Sequence, residues 1–267
     1  MHTIFHSACR LLVTAVALCP ALFAQTTPDA ALATAFAEGR GTGLTNMLRA
    51  DSWIDPRVAG PVANLEIRLH NVAAKEITAF TGAYRAVYAD GTERVSQGWG
   101  EDLIGFAASL RTVIGSAPPG STLKPGEEIT LRLTSPLDTR GNPPVRVSVG
   151  ITMLLFADRT ACGDRWDVER TLRSRTQSAA DLADALESGR RLLAAPQPET
   201  ALDARVSELA QSRLPQSRSV EYNYLAILAA LWKAGEPTRL DQFQRVWEMR
   251  QKEVSAHSIL RDEPGRQ

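Results

Sequence analysis

Long apolar runs are scarce in this sequence, and the one sustained run lies within the first 24 residues. Arg10 precedes that run, and the small residues of "ALFA" end just before Gln25, which is the order of a signal peptide. The run is about 14 residues long and contains Pro20, so it is too short to span a membrane core of about 30 Å. We therefore predict a Sec-type signal peptide over residues 1–24, cleaved near Ala24–Gln25, and a periplasmic or secreted protein with no membrane span after cleavage.

Cysteine is scarce as well: the chain has three, and Cys9 and Cys19 lie within the predicted signal peptide. After cleavage Cys162 is the only one left, which excludes an internal disulfide in the mature chain. A buried, inert thiol is the simplest expectation for Cys162, and an intermolecular disulfide stays open.

An excess of either charge is also missing. The full chain has 30 basic and 30 acidic residues. Removing residues 1–24 takes away one arginine and no acid, which leaves 29 against 30 and a net charge of −1. A nucleic-acid partner and a polybasic membrane patch both require a basic surplus, so the composition argues against these two classes.

Catalytic motifs are absent in the same way. The sequence contains neither Gly-x-Ser-x-Gly nor His-Glu-x-x-His, and only His70 and His257 remain after signal cleavage. The carboxylate pairs Glu101–Asp102 and Glu127–Glu128 are adjacent in sequence, so in a strand they point to opposite faces and cannot share acid–base work. We therefore predict no catalytic, cofactor-binding or metal-binding residue and no cofactor, and we lean towards a protein that is not an enzyme.

Two short matches to catalytic motifs are weak. Ser121–Lys124 has the Ser-x-x-Lys spacing of penicillin-binding enzymes, but it has no partner motif and precedes a Pro-Gly turn. "GRGTG", at residues 39–43, has the glycines of a phosphate loop without a preceding strand or a Lys-Ser or Lys-Thr pair. We interpret the first as chance and the second as a linker.

The composition changes near Gly163, from alternating apolar residues with frequent Gly and Pro to a helical period. Residues 145–157 alternate over six apolar positions, and similar strands are predicted around Leu65–Leu69 and Ile129–Leu133. Asp90–Gly91 lies at the centre of a predicted hairpin with a type I′ turn. We expect an α+β protein with an N-terminal immunoglobulin-like antiparallel β-sandwich followed by a C-terminal α-helical bundle.

The domain boundaries follow from this change of period. We predict a partly flexible N-terminal segment over 25–54, the β-sandwich over 55–160, the helical region over 164–260 and a disordered tail over 261–267. Within the helical region, apolar stripes indicate four helices, and the one in "VEYNYLAILAALWKAGEP" is apolar on most sides and therefore central.

Four stretches carry a resemblance to a known kind of module: "HNVAAKEITAF", "VYADGTERV", "LKPGEEITLRL" and "VSVGITMLLFADRT". Over about residues 61–160 the chain resembles secreted bacterial immunoglobulin-like sandwich modules of the FxLYD-like kind. An Asn before a Lys-x-Ile strand and an aromatic residue leading into an Asp-Gly turn are the shared features. The resemblance implies a binding or assembly module and supplies no catalytic residue.

The stretch "LLFADRTACGDRWDVERTL", residues 154–172, offers two interpretations. As a calcium loop it has Asp158, Gly163 and Glu169 at positions one, six and twelve, but positions three and five lack acidic or amide side chains and a strand precedes it. As a connection it ends a strand, turns at Gly163 and enters a helix capped by Asp164 or Asp167. We favour the connection.

The arginines of "RWDVERTLRSR" alternate with acids, and Glu169 and Arg173 stand four residues apart. This spacing favours an ion pair on an exposed helix face over a basic patch.

These observations lead to one functional prediction and one alternative. We expect an exported binding or structural module of the cell envelope, with a protein partner there. The alternative is a hydrolase with its site where the sandwich meets the helices, in which His70 or His257 would lie within hydrogen-bond reach of Cys162 or a serine.

Overall fold

The structure is a computed structural model that describes residues 44, 46–55, 62–104, 122–211 and 216–261. The predicted signal peptide, residues 25–43, Ser121 and residues 262–267 lie outside the described residues. Seven strands precede four helices in the described chain. The strands are β1 (Leu48–Asp55), β2 (Val62–Asn71), β3 (Ile77–Val87), β4 (Glu93–Asp102), β5 (Glu128–Pro136), β6 (Arg146–Phe156) and β7 (Ala161–Gly163). The helices are α1 (Arg165–Leu193), α2 (Pro198–Gln211), α3 (Gln216–Lys233) and α4 (Pro237–Ala256).

The strands form two antiparallel sheets. The first has three strands in the order β1-β2-β5, and the second has four in the order β4-β3-β6-β7. In β2 the alternate residues Leu65, Ile67 and Leu69 are fully buried, while Arg68 between them is exposed. This is the half-buried pattern that alternation predicts.

The two central strands of the second sheet depart from that pattern. Strand β3 is buried at nearly every position, on both of its faces, and so is the second half of β6, from Gly150 to Phe156. A strand covered on both faces loses its apolar–polar alternation. This explains why the sequence of β3 shows β-forming residues without a clear period.

The predicted hairpin at Asp90–Gly91 is confirmed, but the predicted turn type is wrong. A type I′ turn needs positive φ at both central residues, whereas only Gly91 has it, with φ 80°. The amide of Gly91 donates to the carbonyl of Tyr88 at 3.0 Å, and the amide of Tyr88 donates to the carbonyl of Thr92 at 2.9 Å. This is a three-residue loop in which the glycine follows an ordinary turn.

The same loop geometry occurs three times in the part of the chain that the structure describes. Gly141 (φ 81°) occupies the positive-φ position between Asp138 and Asn142, and Arg159 (φ 66°) occupies it between Phe156 and Thr160. Arg159 is the single non-glycine residue with positive φ among the described residues. The third loop therefore places a side chain where the other two have none.

Replacing Arg159 with glycine is expected to stabilise the protein. A non-glycine residue with positive φ costs about 1–2 kcal/mol, and the extra freedom of glycine in the unfolded chain offsets part of that gain. We expect Arg159→Gly to raise the free energy of unfolding by up to about 1 kcal/mol, measured by thermal or denaturant unfolding. A lower stability would mean that contacts of the exposed Arg159 side chain outweigh its backbone strain.

The described chain divides into two compact units. The first comprises residues up to Glu101 together with Thr122–Glu169, and the second comprises Asp102 and its neighbours together with residues from Arg170 onwards. The predicted sandwich began at residue 55, but β1 pairs with β2 along its whole length from Leu48 to Asp55. The end of the predicted N-terminal segment is therefore part of the first sheet.

In the second unit the helices share one apolar core. Fully buried residues come from every helix, among them Leu182, Leu202, Leu228 and Val254. The prediction that α3 is central is supported by its five buried residues in this core: Val220, Tyr224, Leu225, Leu228 and Ala229. Tyr224 also contacts the rings of Phe243 and Trp247.

None of the helices in the described ranges combines the length and apolar character that a membrane crossing requires.

Candidate functional site

The connection from β6 to α1 is the segment that the sequence singled out, and it begins with a tight turn. The Asp158 carboxylate accepts hydrogen bonds from the amide and the hydroxyl of Thr160, at 3.0 and 2.6 Å. Its other oxygen lies 2.6 Å from Nζ of Lys75. Partial burial acts to raise the pKa of Asp158, but the hydrogen bonds from Lys75 and Thr160 outweigh it, so the pKa is lowered.

The residues after the turn form β7, a three-residue strand that the sequence analysis did not predict. It pairs with β6, with Cys162 opposite Leu154 and Gly163 opposite Met153. Gly163 has φ 104°, and a Cβ atom placed on it would lie 2.1 Å from the carbonyl oxygen of Thr152. The chain can therefore turn out of the sheet and into the helix at this position only with a residue that lacks a side chain.

The helix α1 then begins with the predicted cap. Oδ1 of Asp164 accepts a hydrogen bond from the amide of Asp167 at 2.9 Å, which satisfies one of the free amides at the helix start. Asp167 is buried, and its Oδ2 accepts hydrogen bonds from the hydroxyls of Thr81 on β3 and Thr152 on β6, both at 2.9 Å. Asp164 thus ends the connection, and Asp167 fastens the first helical turn to the sheet.

The carboxylates of the calcium-loop alternative have other partners. Glu169 accepts a hydrogen bond at 2.7 Å from Arg165, which lies one turn before it, whereas the expected partner Arg173 lies one turn after it. Asp158 is paired with Lys75. Within the described ranges, no group of three or more His, Cys, Asp or Glu residues is arranged to hold a metal ion. The contacts of this segment are those of a structural connection.

The lowered pKa of Asp158 gives a pH prediction. The carboxylate is favoured in the folded state, so its stabilising effect is present above the unfolded pKa of about 3.9 and is lost as the pH falls below that value. At pH 7 we expect Asp158→Asn to lower the free energy of unfolding by a few tenths to about 1 kcal/mol, because the ion pair with Lys75 is partly exposed.

Thermal melts at pH 7 and near pH 3 measure this effect. The difference between Asp158→Asn and the wild type should shrink at the lower pH, because protonation of Asp158 removes its charge in a growing fraction of the molecules. A difference that stayed constant between the two pH values would contradict a charge effect.

Cys162 is 6% exposed and is disulfide-bonded. The expectation of a lone cysteine concerned the chain after removal of residues 1–24. Cys162 lies in the short strand β7, opposite Leu154 of β6.

The two histidines considered for the alternative hydrolase, His70 and His257, make contacts with other residues. Nδ1 of His70 lies 3.0 Å from the Glu128 carboxylate, across β2 and β5 on the outward face of the first sheet. Nδ1 of His257 lies 2.9 Å from the Glu253 carbonyl, at the end of α4. His70 is therefore in the three-stranded sheet, whereas Cys162 belongs to the four-stranded one.

The sequence analysis missed a buried ion pair in the second unit. Arg175, which was expected on a solvated face, is 2% exposed, and its guanidinium contacts both oxygens of Asp102 at 2.8–3.1 Å. Its Nη1 also donates to the carbonyl of His257 at 3.1 Å. The partners are separated by 73 residues, so no local spacing could have indicated the pair.

A groove of about 440 Å³ lies between α1 and α4. An ion pair crosses it, with Nη2 of Arg190 2.7 Å from Glu248, and the hydrogen bond to Glu248 raises the pKa of Arg190. Glu187 and Lys252 add further charge to its walls. Residues 183, 186, 187 and 190 of α1 follow the helical period, which is the sequence signal that could have predicted a shared face.

Comparison with known proteins gives little further information. No family model matches the sequence, and no curated protein matches it. A Northeast Structural Genomics Consortium target with an X-ray structure is 12% identical in sequence to this chain. The match covers 44% of this chain and 80% of the target, with a TM-score of 0.26. A Bordetella pertussis protein provisionally named ApaA is 10% identical, covers 43% and 81% respectively, and has a TM-score of 0.25.

Proposed function

We propose that this chain is an exported binding or structural protein of the cell envelope, in which an immunoglobulin-like β-sandwich presents a surface to a protein partner. The proposal joins the signal-peptide pattern of residues 1–24 to the two antiparallel sheets of the first unit. The helical bundle is the second part of the same protein. The FxLYD-like resemblance points to the same class of module.

The strand order supports the immunoglobulin-like assignment. If the seven strands are lettered A to G in chain order, the sheets are A-B-E and D-C-F-G. Constant-type immunoglobulin domains have A-B-E-D and C-F-G. The two arrangements differ only in the fourth strand, which here follows the third strand through the hairpin at Gly91 and lies at the edge of the other sheet.

The observation that carries the proposal is the outward face of the three-stranded sheet. Charged side chains stand on this face in successive rows, and cross-strand pairs hold them in place: His70 with Glu128 at 3.0 Å and Glu66 with Arg132 at 3.2 Å. Arg68 lies between these rows and is exposed. A regular, solvent-facing array of both charges suits electrostatic recognition of a protein surface.

The other polar residues that the sequence singled out belong to separate local contacts. Asp158 pairs with Lys75, Asp164 caps α1, and His257 lies at the end of α4. A catalytic set requires a nucleophile, a base and an orienting group within hydrogen-bond reach of one another. This distribution favours the binding module over the hydrolase.

Cross-linking in intact cells tests the proposal. The full-length chain with a C-terminal tag is cross-linked in the cells that make it, and captured proteins are identified together with the N-terminus of the bait. We expect a mature N-terminus at or near Gln25 and a defined envelope protein in the cross-link. The purified pair should then bind directly.

Two variants make the test specific. Arg68→Glu reverses a charge in the outward face and should weaken the capture, whereas Arg239→Glu, at a side chain 70% exposed on α4, should leave it unchanged. Intact Met1 in the cytosol would contradict the export proposal. Equal capture by both variants would contradict the assignment of this face.

A further inference from the structure

Strand β5 lies at the edge of the three-stranded sheet, and β2 is its one partner among the described strands. The side chains of Glu128, Thr130 and Arg132 are exposed on it, whereas Leu131 is buried. An edge strand presents backbone groups that can pair with another strand. Only the residues of β5 whose backbone groups are directed away from β2 are available for such pairing.

The backbone hydrogen bonds between β2 and β5 identify these residues. The carbonyl of Glu127 accepts from the amide of Asn71, at the start of the β2–β5 ladder. Since successive residues of a strand direct their backbone groups to opposite sides, the odd-numbered residues of β5 bond to β2. The even-numbered residues therefore direct their amides and carbonyls to the open edge.

The contact of Tyr84 with β5 supports this assignment and marks one end of the available stretch. The hydroxyl of Tyr84 on β3 donates to the carbonyl of Thr134 at 3.0 Å, so that carbonyl is directed away from β2 and already has a donor. The edge beyond Thr134 ends at Pro136, which has no amide to donate. The available stretch is Glu128 to Arg132, and its centre is Thr130.

This stretch is complementary to itself. Antiparallel pairing of two copies about Thr130 places Glu128 of each copy opposite Arg132 of the other. Each of these residues directs its backbone to the edge, so each facing pair can exchange two hydrogen bonds. We propose that the open edge of β5 binds a second copy of this chain in this register, which joins the two three-stranded sheets into one.

The charges specify the register. The side chains of Glu128 and Arg132 each pair with a residue of β2, His70 and Glu66 respectively, but they are still 48% and 81% exposed, so a charge across the edge can also contact them. A shift that centres the pairing on Arg132 would oppose two arginines. A shift centred on Leu131 would place Glu128 opposite Thr134, whose carbonyl already accepts a hydrogen bond from Tyr84. Opposite charges across strands stabilise, and like charges destabilise, by up to about 1 kcal/mol a pair.

The short length of the edge limits the affinity. A stable protein–protein interface buries at least about 1,000 Å², more than a few facing residues provide. The dimer is therefore weak and concentration-dependent. The inference does not rest on the proposed function, since it concerns only this edge and would hold whatever the outward face binds.

Sedimentation velocity of the full-length chain over a range of concentrations tests the proposal. We expect the wild type to shift from monomer to dimer as the concentration rises and the shift to weaken at high salt, which screens exposed charges. Glu128→Lys and Arg132→Glu should each stay monomeric, because each opposes like charges at both ends of the pairing. An equal mixture of the two variants should dimerise, because all four facing charges are then opposite.

The mixture separates the proposal from misfolding, since a misfolded variant would not regain association on mixing. Thr130→Pro removes an amide at the centre of the open edge, on the side away from β2, and should abolish dimerisation while thermal stability stays near that of the wild type. A wild type that is monomeric at its highest soluble concentration would overturn the proposal. So would dimerisation of the single variants at wild-type affinity, or failure of the mixture to associate.

Discussion

Replacing Asp102 with alanine should destabilise the helical unit by about 3 kcal/mol. Arg175 is 2% exposed, and the substitution removes the carboxylate that its buried guanidinium contacts at 2.8–3.1 Å. Breaking a buried ion pair by removing one partner costs about 3–5 kcal/mol. The Asp102 side chain is 23% exposed, so water replaces part of the lost interaction and the lower end of that range applies.

A matched variant separates this effect from the loss of an ordinary surface ion pair. Asp241 pairs with Arg245 at 3.0 Å, but the two side chains are 62% and 74% exposed. Asp241→Ala should therefore change the stability by no more than about 0.5 kcal/mol. Denaturant unfolding followed by circular dichroism measures both variants. Equal losses in the two would show that burial of Arg175 does not determine the cost.

Arg175 also shows where sequence reasoning fails for the site. In "RWDVERTLRSR" the arginines alternate with acids, and such a pattern indicates a solvated helix face. The partner of Arg175 lies 73 residues earlier, at the end of β4, where no periodicity connects the two. Only the folded chain brings them together.

The strands show the same division between local and long-range information. The alternation of β6 and the apolar positions of β2 and β5 are local signals, and all three strands form as predicted. Strand β1, "LRADSWID", has only three apolar alternate positions, Leu48, Ala50 and Ile54, interrupted by Ser52, and β7 has only three residues. Both depend on a long neighbouring strand for their conformation, because strand propensity depends mainly on the packing context.

The turns show that composition can indicate a turn without specifying its type. Asp90–Gly91 predicts a hairpin correctly, yet the same dipeptide fits a two-residue loop and a three-residue loop. The choice follows from the pairing of Tyr88 with Thr92, which sets the loop length. Arg159 shows the converse, since a loop of this geometry forms there without any glycine at the positive-φ position.

Gly163 was expected to permit the turn into the helix. In the structure, residue 163 must be glycine for a second reason as well, which is the close approach of β6. A Cβ atom there would lie 2.1 Å from the carbonyl oxygen of Thr152 and 2.9 Å from Cα of Met153. Both atoms are backbone of β6, in the middle of the second sheet, so neither can move aside as a flexible side chain can. The carbonyl of Thr152 also accepts the amide of Asp164 at 2.8 Å, so the displacement would disturb the helix cap as well.

We therefore expect Gly163→Ala to lower the free energy of unfolding by about 3 kcal/mol or more, the sum of backbone strain and overpacking. Gly91→Ala is the matched control: it adds the same methyl group at a positive φ of 80°, but no atom lies within 4 Å of the new Cβ. That variant should lose only about 1–2 kcal/mol, from the backbone conformation alone. Thermal and denaturant unfolding of the two variants measure the difference. Equal losses would mean that the close approach of β6 to residue 163 is relieved at no cost, and that Gly163 serves the turn only through its positive φ.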